Sequence, residues 1–233
     1  MDYLSSKNTA RKRKPSGHRI RNSCKKLPIA SAFLFDNTWS IPDNTVSPSI
    51  KDTCKVAPQT LKVVLRKEQA HAVKDGIYHK IQIEFTYNSN HIEESRITHD
   101  ETRYLYEMNK IGIENKSLNV DNIIETVNHF RCIDYIIEKS DNIITEKMLK
   151  DLHMILKTGT SYTRNPWFVV GNYKKHPNEV NGLETTHPKD VRNKMKELLN
   201  TYKKHDRPSF DTLLDFHVQF ERIHPFQNGN GRI

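Results

Sequence analysis

A single imidazole stands eight residues ahead of an arginine in the run His224-Pro-Phe-Gln-Asn-Gly-Asn-Gly-Arg232, with Gly229-Asn230-Gly231 between them. Such a set can do acid–base work beside an anion. The imidazole can accept the proton of a hydroxyl. A glycine-rich turn lets successive backbone N–H groups converge on an anion, and a helix starting there would add its own N-terminal amides. Arg232 offers a planar, bidentate partner for phosphate. One base next to one anion cradle is what phosphoryl or nucleotidyl transfer to a hydroxyl requires. Phe226 is the one large apolar side chain between His224 and Ile233 and is expected to plug the loop into the core. Taken singly, Gly-Asn-Gly is an ordinary turn and a histidine at a helix end is usually structural. The chemistry rests on the combination.

These residues need a rigid frame. Pro225 excludes the helical conformation at His224, which places the histidine at a helix-to-loop corner. The helix before it is read from Phe210, Leu213, Leu214, His217 and Phe220, running up to Ile223. A longer helix spans 121–139, where Ile123, Ile124, Val127, Phe130, Ile133, Ile136 and Ile137 recur at three and four, with Asp121 as the expected N-cap. Thr145 precedes a third apolar face (Met148, Leu149, Leu152, Ile155, Leu156), and Gly159 ends it. His187-Pro188 opens a fourth, burying Val191, Met195, Leu198, Leu199 and Tyr202. Trp167-Phe-Val-Val170, Gly171-Asn172 and Tyr173-Lys-Lys read as strand, turn and strand. The fold class expected over residues 61–233 is therefore all-α, a helical bundle with one small β-hairpin.

Composition narrows the function. The net charge is +9, but residues 1–26 hold nine basic side chains against Asp2 alone, leaving the body nearly neutral. Nucleic-acid contact through residues 7–26, around Arg11-Lys-Arg-Lys14, is thus a property of the head only, and a solvated tail is the simpler reading. Residues 1–60 carry five prolines, many Ser, Thr and Asn and no sustained period, so a disordered basic tail is expected there. Leu27 to Phe35 is a short apolar core behind an unusually long basic region, so a secretory signal is not expected, and no window reaches the roughly 18 apolar residues of a membrane span. Cys24, Cys54 and Cys132 form no metal spacing, and their odd number favours a reduced cytoplasm.

The segment His224–Arg232 resembles the Fic family signature H-P-F-x-[D/E]-G-N-G-R. Phe216-His-Val-Gln-Phe-Glu-Arg-Ile223 is similar to the helix that leads into that family's loop. Tyr87-Asn-Ser-Asn-His-Ile-Glu-Glu94 resembles its inhibitory motif [S/T]-x-x-x-E-[G/N], with Ser89 and Glu93 in the defining positions, on a helix near 81–95. Residues 167–182 look like its target-positioning flap. The resemblance implies transfer of AMP from ATP, with Mg²⁺, onto a Ser, Thr or Tyr hydroxyl of an unidentified target protein. His224 would be the general base. Phe226, Gln227, Asn228, Gly229, Asn230, Gly231 and Arg232 would form the ATP and phosphate site. Val169, Val170, Gly171, Asn172, Tyr173 and Lys174 would receive the target as an added strand. Glu93 would be an autoinhibitory brake, and in some members that glutamate also positions water to remove AMP.

Three departures qualify this. Asn228 replaces the acid that helps hold Mg²⁺, and hard cations prefer charged oxygen ligands, so weak metal binding and slow transfer are expected. The sequence stops at Ile233, two residues before the signature's second arginine, so the helices that follow the loop are absent and Glu93 is expected to lack its usual partner. Glu94 stands where Gly or Asn is usual. Two further readings stay open: a catalytically silent remnant acting as an interaction module, and a Fic enzyme that removes AMP or moves another phosphate-containing group. The oligomeric state is also open, a homodimer included.

Overall fold

The computed structural model describes residues 60–112, 117–180, 182–205 and 207–233. The expectations for the basic head, and for Cys24 and Cys54, lie outside the described residues.

The organising element is helix α5 (Val120–Lys139), twenty residues long. Its N-cap is Asn119, whose side chain accepts from the Asp121 amide at 2.9 Å. Asp121, the expected cap, is therefore inside the helix, two residues past the actual cap. Its carboxylate instead accepts from the Ser161 amide at 2.8 Å, tying the helix start to a later turn. Helix α5 buries Phe130, Cys132, Ile133 and Ile137 together with Glu125, Thr126, Asn128 and His129. Half of its hidden stripe is thus polar.

Elements gather on both sides of this helix. Helix α1 (Leu61–Ala70) docks through Leu65, and the Arg66 guanidinium caps the end of α5 by donating to the Ile137 and Glu138 carbonyls. A continuous rod follows, made of α2 (Ile77–Lys80), a π-helical turn Ile81–Phe85 and α3 (Thr86–Ile92). The rod runs from Ile77 to Ile92, overlapping the segment expected to be helical near 81–95 and ending three residues before it. Thr86 meets His129 Nδ1 at 2.9 Å and Asn90 donates to Thr126 at 3.3 Å, so α3 lies on α5 through polar contacts. Helix α4 (His99–Met108) starts with a full capping box between Thr98 and Glu101.

On the other side lie α6 (Glu146–Lys157), capped by Thr145, then α7 (Pro188–Tyr202) and α8 (Phe210–Ile223), capped by Ser209. Their boundaries follow the sequence reading closely. Leu149, Val191, Met195, Leu199, Phe220, Ile223 and Phe226 form the core between them.

The hairpin is displaced from where it was expected. Trp167–Val170 and Tyr173–Lys175 are not strands. The two short strands are β1 (Glu179–Val180) and β2 (Leu183–Glu184), antiparallel, with Val180 opposite Leu183. Tertiary contacts override local strand preference at 167–175. Phe168 is buried between Tyr162 and His153, and Gly171 turns with φ +72° so that its N–H donates to His153 Nδ1 at 2.8 Å. The Gly171 and Lys174 N–H groups donate to the bundle, and the Asn172 N–H closes a turn onto the Val169 carbonyl, so no strand ladder forms here.

His129 and His153 are buried, and burial lowers both to a pKa of about 3 from the ordinary 6.5, with Arg232 adding to the effect at His129 and Lys157 adding to it at His153. Both are neutral in the fold, whereas the unfolded chain takes up protons below 6.5. Stability is thus full above pH 6.5 and is lost as the pH falls towards 3. The loss should approach about 2.7 kcal/mol per pH unit for the two together. Denaturant unfolding across that range measures it, and Phe substitution at His129 should remove about half of the slope.

Candidate active site

The loop that follows α8 begins with strain. His224 is the C-cap of α8 and takes φ +48°, ψ +63°, a left-handed conformation that few non-glycine residues adopt. Pro225 explains it, because it forbids the helical alternative. The His224 side chain is 15% exposed, and its Nδ1 lies 3.6 Å from Glu221 Oε2, too long for a hydrogen bond. Among the described residues Nδ1 is a buried atom with no hydrogen-bond partner. Glu221 was missed by the sequence reading, although it sits one helical turn earlier on the same face.

The loop then folds back on itself. Phe226 is fully buried and stacks on His153 with ring centroids 4.2 Å apart, as the plug role requires. Asn230 is also buried, and both ends of its amide serve the loop. Its oxygen accepts from the Phe226 amide at 2.8 Å and its nitrogen donates to the Phe226 carbonyl at 2.9 Å. The Asn230 side chain thus staples the loop. Gly229 takes φ +84° and opens a single 3-10 turn, Asn230–Arg232. A Cβ at Gly231 would come within 2.7 Å of Glu93 Oε1. The Gln227 oxygen accepts from the His176 amide at 3.3 Å, and Pro225 accepts from the Lys174 amide at 2.8 Å. Residues 174–178 are in this way bound to the loop, while Val169, Val170 and Asn172 lie around the turn at Gly171 and Tyr173 is buried beneath it.

His153 holds the loop from α6. Its Nδ1 accepts from Gly171, so its Nε2 carries the proton and donates to the Asn228 carbonyl at 3.2 Å. The neutral imidazole has one donor and one acceptor and both are used.

The centre of the site is a cluster of four charges. Lys157, the last residue of α6, is fully buried. Its ammonium donates to Glu125 Oε1 at 2.6 Å and to Asn228 Oδ1, and faces the Tyr162 ring 4.5 Å from its centroid. The other oxygen of Glu125 pairs closely with Arg232 Nη1. Arg232 Nη2 reaches Glu93 Oε2 at 3.4 Å, and Nη1 also meets Asn90 Oδ1 at 3.4 Å. Burial, reinforced by Arg232, lowers the Lys157 pKa to about 8, and Glu125 opposes the shift.

Two expectations change here. Glu93 was expected to lack its usual partner, the signature's second arginine; here it pairs instead with Arg232, because the 3-10 turn aims that guanidinium at the end of α3. Asn228 was expected to hold Mg²⁺ weakly. Its side-chain oxygen instead accepts from Lys157 and, at 3.4 Å, from Arg232. Both neighbours are cations, and a divalent ion beside them would meet repulsion in place of a lone pair. No group of three or more His, Cys, Asp or Glu among the described residues could hold a metal ion. The donor set does not fit Mg²⁺. Ser89 lies half-buried in α3, while its neighbour Asn90 makes the contacts.

The expected positions are thus largely brought together: His224, the 226–232 loop and Glu93 form one site. Lys157, Glu125, His153 and Asn90 complete it and were not anticipated. Lys157 falls on the face of α6 that buries Leu149, Leu152, His153 and Leu156, whereas Glu125 sits in a polar stretch of α5 beside Thr126, Asn128 and His129 and carries no such signal.

Residues 143–233 match the Fic/DOC family. A Fic-domain-containing signaling protein of Bacteroides thetaiotaomicron is similar in structure, with a TM-score of 0.56 and 24% identity over 72% of this chain and 66% of that one. A Fic family protein of Desulfovibrio desulfuricans gives 0.53 and 18%, over 72% of this chain and 50% of that one. At these identities the likeness is one of fold, and the chain spans between half and two thirds of the length of these proteins. No curated protein matches the chain.

Two stability effects follow. Glu94 has φ +64°, with Ser95 N–H bonded to the Asn90 carbonyl and Glu94 N–H to that of His91, the Schellman end of α3. Glycine suits this position, so Glu94→Gly should stabilise by about 1 kcal/mol in denaturant unfolding. Glu125→Ala should cost about 3–5 kcal/mol in the same measurement, because Lys157 and Arg232 would both stay buried without their shared partner.

Proposed function

We propose that this chain, whose residues 143–233 match the Fic/DOC family, transfers AMP from ATP to a hydroxyl of a target protein. The observation that carries the reading is the folded His224–Arg232 loop, in which a histidine at a fixed corner and a glycine-opened turn share one site with an acid from another helix. His224 Nε2 has no hydrogen-bond partner among the described residues, so it can accept the hydroxyl proton as the oxygen attacks the α-phosphorus. Diphosphate leaves from the opposite side and AMP stays on the hydroxyl oxygen. Glu221 lies 3.6 Å from Nδ1, the ring nitrogen not used as the base. The backbone amides of Gly229, Asn230 and Gly231 and the Arg232 guanidinium would face the phosphates. Residues 169–174, fastened to the loop at Pro225, would border the target.

Glu93 would restrain this reaction. It occupies Arg232 Nη2 and stands against Gly231, which is where an anion would approach. The same contact is why resting activity would be low. No described helix is long and apolar enough to cross a membrane.

The test is incubation with ATP labelled at the α-phosphate, scored by label on protein. Labelling should be present in the parent, rise about tenfold in Glu93→Gln as the brake is lost, and disappear in His224→Ala. Equal labelling by parent and His224→Ala would rule out the proposed base. A label that transfers only from the γ-phosphate would replace AMP by phosphate as the cargo.

A further inference from the structure

The Asn228 oxygen is occupied by a cation that belongs to the protein. Lys157 Nζ donates to it, and the same nitrogen holds Glu125 at 2.6 Å and faces the Tyr162 ring. All three N–H groups of the ammonium are therefore directed. The cation is also close to the loop itself. A Cβ at Gly229 would lie 3.0 Å from Lys157 Cε and 3.6 Å from Nζ, so the charged end of the side chain lies directly beneath the backbone turn. Lys157 is the last residue of α6, where a positive charge also suits the carbonyl end of the helix.

Charge balance gives this position its meaning. Lys157 and Arg232 are set against Glu125 and Glu93, two cations against two acids. Glu125 is 5% exposed and shares its two oxygens between the two cations. Glu93 is 24% exposed and its contact is the long one, at 3.4 Å. If Glu93 withdraws, one net positive charge remains under the loop, in a setting that excludes water and strengthens its field. That charge is what a divalent ion would otherwise be needed to supply.

We propose that the Lys157 ammonium is the resident cation of this loop, standing on Asn228 where a divalent ion would be held, so that the site takes the phosphates of a nucleotide without divalent metal. The proposal rests on the nucleotide reading given above. It assigns Lys157 a positioning and electrostatic role, since its own N–H groups are spent on Glu125, Asn228 and the ring. It also gives the asparagine a reason: an aspartate at 228 would neutralise the ammonium it now leaves charged.

The test is ATP binding by calorimetry to the full 233-residue chain carrying Glu93→Gln, in Mg²⁺ and in EDTA. The dissociation constants in the two buffers should agree within about threefold. Lys157→Met should weaken binding in EDTA by about tenfold or more, and Lys157→Arg, which keeps the charge, should bind within a few fold of the parent. Asn228→Asp should weaken binding in EDTA as well. Binding that requires Mg²⁺ in the parent would overturn the resident-cation proposal and leave the nucleotide reading standing. Binding by Lys157→Met equal to the parent in EDTA would also overturn it. No ATP binding in either buffer would overturn the nucleotide reading, and this one with it. If Lys157→Met fails to fold, the comparison of the two buffers on the parent still decides.

Discussion

The Lys157–Glu125 ion pair, extended to Arg232, is the interaction on which the rest of the structure depends. A charge taken out of water is costly unless it is paired and its remaining polar atoms are satisfied. Here three ionised groups are buried together, each 6% exposed or less. None can be accommodated without the others. Lys157 comes from the end of α6, Glu125 from the second turn of α5 and Arg232 from the loop after α8. The network therefore fixes the rotation of α5 against α6 and the path of the loop across both. Apolar packing alone would tolerate small slips of one helix along the other, whereas a carboxylate shared between two cations does not.

The loop is built to keep its shape by its own contacts. Asn230 closes the turn onto Phe226, Phe226 is clamped against His153, and His153 in turn holds both Asn228 and Gly171. Each side chain in this chain of contacts has its donors and acceptors used. The left-handed conformations at His224 and Gly229 are held by these surroundings. An anion arriving here would meet amides already oriented, so binding would not bear the ordering of a flexible loop. By the same completeness the Asn230 side chain is committed to the frame of the loop.

Much of the fold was legible because apolar spacing and capping residues are local signals. Thr145, Pro188 and Ser209 sit where helices start, and the 3.6-residue stripe of α5 through α8 follows directly from sequence. The polar centre was hidden for the opposite reason. Lys157 in a last turn and Glu125 near a helix start both look like ordinary responses to the helix dipole. Their pairing joins residues 32 positions apart and leaves no periodic trace. The displaced hairpin has a similar origin. Trp167–Val170 has strand-forming side chains, but burial of Phe168 and the bond from Gly171 to His153 outweigh that preference. Glu94 was recognisable as an unusual residue. Only the left-handed turn at the end of α3 shows why a small residue suits its position.

Arg232 clarifies how a brake could work in such a site. Its guanidinium has two working edges, with Nη1 turned to Glu125 and Nη2 turned to Glu93. The two acids are not equivalent. Glu125 is enclosed and also serves Lys157, so removing it would strand two cations. Glu93 is the more exposed, is the C-cap of α3 just before the left-handed Glu94, and makes the longer contact. An anion would therefore compete with Glu93 alone, taking Nη2 while Nη1 stays paired. On that view the restraint is a single replaceable carboxylate over a permanently held arginine. Its strength is set by how firmly the last turn of α3 is kept in place. That turn is anchored by Asn90, which donates to Thr126 and accepts from Arg232, so the residue that positions the brake is also in contact with the group the brake covers.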